Sequence, residues 1–141
     1  MPWRISTLAL AAVVFGLLAA ACGSGDQFGP PVLKKSEAEL RELGRAIYAQ
    51  YCATCHGDGE GAAPQPGVPS QGPQGHTWHH ADAQLREIVW NGGPTGAPVT
   101  MPGFSKLLSR EEVEAVLIYI KAGWTPEQRA IQEGISIRFE R

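Results

Sequence analysis

Cys52-Ala53-Thr54-Cys55-His56 constrains this chain more than any other stretch. Two thiols three positions apart, followed at once by an imidazole, have the C-x-x-C-H spacing at which a haem is attached covalently. The thiols can add to the two vinyl groups on one edge of the ring, and the histidine is then held beneath the iron as an axial ligand. A fold with such a group at its centre needs few residues, because the ring supplies core that a short chain lacks. Rival readings of the string need partners that are missing. A zinc site wants two further ligands at suitable spacing, and there is no second C-x-x-C. A thiol–disulfide motif wants a βαβ setting with its cysteines opening a helix; here they follow a helical pattern and precede a glycine-rich segment.

Haem is attached in this way outside the cytoplasm, and the N-terminus agrees. Arg4 precedes an uncharged, mostly apolar run over residues 5–21, the layout of a secretory leader. The run ends Leu18-Ala19-Ala20-Ala21-Cys22 and turns abruptly polar, which resembles the lipobox of bacterial lipoproteins and makes Cys22 the expected lipidated first residue of the mature chain. Two alternatives stand beside it: ordinary cleavage beside Ala21, or retention of the run as a membrane anchor. The chain has three cysteines. Cys22 goes to the leader boundary and Cys52 and Cys55 to the motif, so none is left for a structural disulfide. The expected organisation is a signal peptide over 1–21, a lipid-anchored tether over 22–35, a haem domain over 36–124 and a C-terminal extension over 125–141.

Periodicity fills in the domain. Ser36 and Glu39 form a capping box, and Leu40, Leu43, Gly44, Ile47, Tyr48 and Tyr51 fall on one face of a helix running into Cys52. Gly44 on that face costs helix propensity and implies close approach by another helix. Residues 57–75 are rich in glycine, proline and glutamine, a loop long enough to wrap the haem. Ala81, Leu85, Ile88 and Val89 predict a second helix, with Asp82 in its first turn and Asn91-Gly92-Gly93-Pro94 as its stop. Ser109 and Glu112 cap a third, carrying Val113, Val116, Leu117, Ile120 and Trp124 on its apolar face. Thr125-Pro126 opens a short further helix that Gly134 should end. Beyond it, the alternation of Ile135, Ile137 and Phe139 with polar residues permits a strand or an extended tail.

The second side of the iron needs a ligand or an opening. Met101 is the leading candidate, since Met1 is the only other methionine and leaves with the leader. A thioether is a soft axial donor that raises the iron potential; the competing use of Met101 is to fill a core gap. His76, His79 and His80, in His76-Thr77-Trp78-His79-His80, are rival ligands. They are also candidates for capping the next helix, for a haem propionate (with the Trp78 indole N–H), or for a second metal. Charge is nearly balanced, 12 basic against 14 acidic residues, with no basic stripe interleaved with aromatics, so nucleic acid is not an expected partner.

Residues 36–124 resemble a monohaem class I c-type cytochrome. The resemblance rests on Gly44 and Tyr48 in the helix before the motif, on Cys52-Ala53-Thr54-Cys55-His56-Gly57, on Met101-Pro102, and on Tyr119 in the last core helix. It implies an all-α cytochrome c fold, three to four short helices and long loops wrapped around one covalent haem c, with the helix of Gly44 and Tyr48 crossing that of Tyr119. It also implies a proline carbonyl orienting His56, with Pro64 and Pro66 as the candidates. The implied function is an extracytoplasmic, membrane-tethered electron carrier with His56/Met101 ligation, exchanging electrons with membrane-bound donor and acceptor proteins and taking no small-molecule substrate. The alternative is a haem enzyme or gas sensor whose distal site is open or histidine-ligated. The lysine ring that some soluble members present around the haem edge is absent; Lys34, Lys35, Lys106 and Lys121 are scattered. The expectation for the extension is that it docks back over the domain.

Overall fold

The computed structural model describes residues 31, 33–59, 61–93, 99–139 and 141. The leader, Cys22 and most of the tether lie outside the described residues, as do residues 94–98 of the second loop. Five α-helices follow one another: α1 Glu37–Tyr51, α2 Ala53–His56, α3 Asp82–Asn91, α4 Arg110–Ala122 and α5 Pro126–Phe139, with a 3-10 turn at Thr77–His79. No strand occurs among the described residues. The fold is all-α; the four-residue α2 is additional to the helices expected, and α5 is longer than the short helix expected after Thr125.

Both predicted capping boxes form. The Ser36 N–H donates to Glu39 at 2.8 Å, and the Ser109 N–H to Glu112 at 2.7 Å. Each glutamate backbone N–H returns a bond to the serine hydroxyl, which removes two of the orphan donors at each helix start. The α1 face that buries Leu40, Gly44, Ile47 and Tyr48 packs on α4, which buries Val113, Ala115, Val116 and Leu117. Gly44 is what lets the two backbones meet. A Cβ there would run into the Ala115 carbonyl and come within 3.0 Å of Tyr119 Cβ. The Tyr48 and Tyr119 rings lie beside the crossing, centroids 5.3 Å apart. Leu85 and Val89 of α3, with Phe104, Leu108 and Trp124, complete the core. One nearly buried ion pair, Arg86 Nε to Glu114 at 2.7 Å, ties α3 to α4.

The C-terminal segment departs from the sequence reading. Gly134 does not end a helix, and Ile135, Ile137 and Phe139 belong neither to a strand nor to an extended tail; all lie in α5. The reason lies in what α5 buries. Its inward residues are Gln132 and Ser136, while Ile131, Ile137 and Phe139 stand exposed. A helix whose buried stripe is polar has no apolar period to read, and the isoleucines mimicked a strand. The extension does fold back on the domain, against the 3-10 turn and α3.

Candidate functional site

One helical turn assembles the motif. Cys52 closes α1, its N–H donating to the Tyr48 carbonyl at 2.9 Å, and its own carbonyl accepts from Cys55 and His56. Helical geometry at positions i, i+3 and i+4 brings two thiols and an imidazole onto one face of the same turn. Both cysteines are free thiols. Burial, and secondarily the Cys55 thiol, pushes Cys52 up to about 11. A redox-active C-x-x-C needs a thiol held low, as a ready thiolate. Cys52 is the reverse, a neutral sulfur packed against the core, which suits a permanent thioether.

His56 is buried, 8% exposed. Its Nδ1 lies 2.8 Å from the Pro69 carbonyl oxygen and 2.9 Å from Gln71 Nε2, which itself donates to that same carbonyl at 3.5 Å. A carbonyl only accepts, so Nδ1 carries the ring proton and Nε2 keeps its lone pair. The orienting carbonyl therefore belongs to Pro69; neither Pro64 nor Pro66 fills that role. Nothing local in the sequence distinguishes the three prolines, because the loop's path selects the one that reaches the ring.

Met101 lies on the loop after α3, and its side chain borders the same core that Cys52 borders. That loop is tied to the end of α3. Gly93 N–H donates to the Met101 carbonyl, Phe104 N–H to Val89, and Ser105 N–H to Trp90, all at 3.0–3.1 Å. Gly92, at φ 97°, makes the turn that permits it, and a Cβ there would come within 2.8 Å of the Met101 carbonyl oxygen. Met101 thus stands on a fixed backbone.

Trp78 of the histidine segment borders the same core as Cys52 and Met101. The Trp78 indole N–H donates to the Gly75 carbonyl at 2.9 Å and its ring stacks on His79, while His76 and His80 meet edge to face. Burial, followed by the neighbouring His76 and His79, holds His80 below the usual imidazole range. None of the three rings caps α3; Gln84 Oε1 accepts from Ala81 N–H and Ser136 Oγ from Asp82 N–H. Among the described residues no three His, Cys, Asp or Glu side chains converge as a metal-binding group. An open hollow of about 510 Å³ borders the loop at Ala62, Val68, Ser70 and His76, and none of Cys52, Cys55, His56 or Met101 lines it.

Two observations fit a covalently held prosthetic group at the motif. The donor set is two uncrosslinked sulfurs and an imidazole poised on one turn. Tyr48 Oη, one turn before Cys52, is buried with no hydrogen-bond partner among the described residues; burial, then the adjacent Cys52, holds that phenol far above its usual range. A buried hydroxyl left unpaired costs about 1–3 kcal/mol, a cost that a polar atom of a bound group at this edge would relieve. Sequence reasoning passed over Gln71 and Pro69. Their signal was only a proline-rich loop of the right length.

No curated protein matches the chain. The family described as "Cytochrome C oxidase, cbb3-type, subunit III" does match, over residues 39–120. That span covers more than half of the chain and runs from the first turn of α1 nearly to the end of α4, taking in the motif turn and Met101. The chain therefore belongs to this family of cytochrome c domains, electron-transfer proteins that carry covalently bound haem c.

Proposed function

We propose that this chain is a monohaem electron carrier held at the extracytoplasmic face of a membrane, its haem joined to Cys52 and Cys55 and its iron ligated by His56 and Met101. The observation that carries the reading is the buried imidazole with Nδ1 committed to the Pro69 carbonyl, which leaves Nε2 as the one nitrogen able to ligate. The haem supplies a one-electron couple; the chain's residues supply burial, orientation and tuning. Two permanent ligands leave no site for a substrate, so the coordination shell is the same before and after each electron. Met101 on its pinned loop supports the second ligand. The family description names an oxidase subunit, and a place within a larger redox complex is compatible with the same site chemistry. Tethering rests on the leader and Cys22; among the described residues no helix is long and apolar enough to cross a membrane. A lipid at Cys22 would keep the domain near its redox partners and raise their effective concentration.

The test is the absorption spectrum of the full chain matured with haem-attachment machinery, oxidised and reduced. A low-spin spectrum with the weak long-wavelength sulfur-to-ferric-iron band is expected, and Met101→Ala should lose that band and admit carbon monoxide. A high-spin wild type, or a band that survives Met101→Ala, overturns the ligand assignment. Cys22→Ala should release the protein from membranes; persistent attachment would instead identify an uncleaved anchor.

A further inference from the structure

Trp124 and the C-terminal extension lie beyond the matched family region, yet they make a regular series of contacts to the loop after the motif. Trp124, Gln128, Gln132 and Ser136 recur every four residues, one stripe of a helix and the residues leading into it. The first three meet the backbone of the loop in turn, and the fourth meets the first residue of α3. Trp124 Nε1 donates to the Gln71 carbonyl at 2.9 Å, Gln128 Nε2 to the Pro73 carbonyl at 2.8 Å, and Gln132 Nε2 to the His80 carbonyl at 3.2 Å. Ser136 Oγ accepts the Asp82 N–H at 3.0 Å. Gln132 is fully buried and also donates to Asp82 Oδ1, which Lys121 holds from α4.

Gln71 is where this stripe meets the haem site. Its carbonyl is held by Trp124, and its side-chain Nε2, 2.9 Å from His56 Nδ1, donates to the same Pro69 carbonyl that Nδ1 faces. The loop has no regular structure before Thr77; its own bonds include those from Ser70 Oγ to the Gly61 carbonyl and from the Gly72 N–H to Ser70 Oγ, and the Gln71 and Pro73 carbonyls are taken from outside it. We infer that Trp124 and α5 form a clamp, with Trp124, Gln128 and Gln132 as positioning residues that hold the 69–80 loop so that the Pro69 carbonyl keeps the His56 imidazole in its hydrogen bond. The inference rests on the reading of His56 as the iron ligand. A hydrogen bond from Nδ1–H makes the imidazole a stronger donor and favours ferric iron. Slackening the clamp weakens that bond and raises the midpoint potential.

Gln128 allows the role to be isolated. Its Oε1 accepts the Thr125 N–H at the start of α5, while its Nε2 serves Pro73. Gln128→Glu keeps an acceptor for Thr125 and sets a carboxylate against the Pro73 carbonyl, so the helix start survives and the clamp does not. Thr125→Ala is the structural control, removing the hydroxyl that accepts Gln128 N–H and leaving Nε2 on Pro73. The readouts are the proton NMR signal of the His56 ring N–H in the ferrous holoprotein, its exchange rate with solvent, and the midpoint potential. In Gln128→Glu the N–H should exchange at least about threefold faster and the potential should rise, with haem content and helix content unchanged. Thr125→Ala should lower only the melting temperature. Trp124→Phe, which drops the N–H on Gln71 and keeps an aromatic ring, should move the two haem readouts in the same direction as Gln128→Glu. Wild-type signals in both Gln128→Glu and Trp124→Phe overturn the clamp, as do equal shifts in Thr125→Ala. A wild type with no haem-shifted His56 ring signal overturns the ligand assignment itself, and the clamp with it.

Discussion

Two glycines inside helices, Gly44 in α1 and Gly134 in α5, should respond to alanine with opposite signs. Propensity alone treats them alike, since replacing an interior helical glycine by alanine gains about 1 kcal/mol. Their surroundings differ. Nothing lies within 4 Å of a Cβ at Gly134, whereas a Cβ at Gly44 meets the Ala115 carbonyl carbon at 2.5 Å and Tyr119 Cβ at 3.0 Å. The Ala115 atoms are backbone locked in α4, so they cannot swing aside as a side-chain end would. The helices must part, and the packing that Ile47, Tyr48, Val113, Val116 and Leu117 make around the crossing opens with them. Overpacking of that kind costs roughly 1–3 kcal/mol or more, and rigid backbone on one side argues for the upper end. After the propensity gain, Gly44→Ala should destabilise by about 2 kcal/mol and Gly134→Ala should stabilise by about 0.5–1 kcal/mol. For a domain of this size the first lowers Tm by roughly 10 °C and the second raises it by a few degrees. The assay is denaturant unfolding of the holoprotein, followed by tryptophan fluorescence and by the haem absorbance, with the midpoint compared at constant slope. Stabilisation by both substitutions would refute the close crossing. Destabilisation by both would mean that α5 carries a conformation or contact at Gly134 that the geometry does not contain.

Three further outcomes are expected. Cys52→Ala combined with Cys55→Ala should abolish covalent haem, read as loss of the haem-staining band on a denaturing gel; a retained band would defeat the attachment assignment. Arg86→Met leaves Glu114 charged and nearly buried, and should cost about 3 kcal/mol, most of it recovered by adding Glu114→Gln; a full loss in the double variant would show that packing by the arginine stem dominates. The Ser109 backbone N–H, and after it the hydroxyl, hold Glu112 below the usual carboxylate range. Its contribution is therefore complete above the unfolded value of about 4.3 and is lost as pH falls through that value to the folded one. Thermal melts from pH 7 to pH 3 should show a shallower decline in Glu112→Gln than in the wild type, and parallel curves would remove the capping box from the acid response.

What could be read from the sequence divides along a physical line. The starts of α1 and α4 were legible because a capping box writes both partners within four residues, and their buried faces were legible because apolar residues recur at helical spacing. The close approach at Gly44 was legible because a glycine on an apolar helix face has few other uses. The motif turn was legible because covalent chemistry demands adjacent residues. Contacts that join distant segments through backbone carbonyls left no such trace. Pro69 cannot be told from Pro64 or Pro66 by type, since what it offers His56 is a carbonyl that every residue has. Gln132 and Ser136 bury a polar stripe that hydropathy reads as surface, and Ile135 and Ile137 beside them pointed to the wrong period.

That blind spot has a functional edge. The matched family region contains the haem motif and Met101, but the loop whose Pro69 carbonyl meets His56 Nδ1 takes hydrogen bonds on its Gln71 and Pro73 carbonyls from Trp124 and Gln128, outside it. A carrier's ligands set the range of its potential, and the hydrogen bonds behind those ligands set its value within that range. A haem domain cut at the end of α4 would keep every residue that identifies it and lose the side chains that fix the Gln71 and Pro73 carbonyls. Such a truncation should still attach haem, and should do so with an altered potential and a less protected His56 N–H. Equal potentials in the truncated and full-length holoproteins would place all the tuning inside residues 36–122 and reduce α5 to a cover.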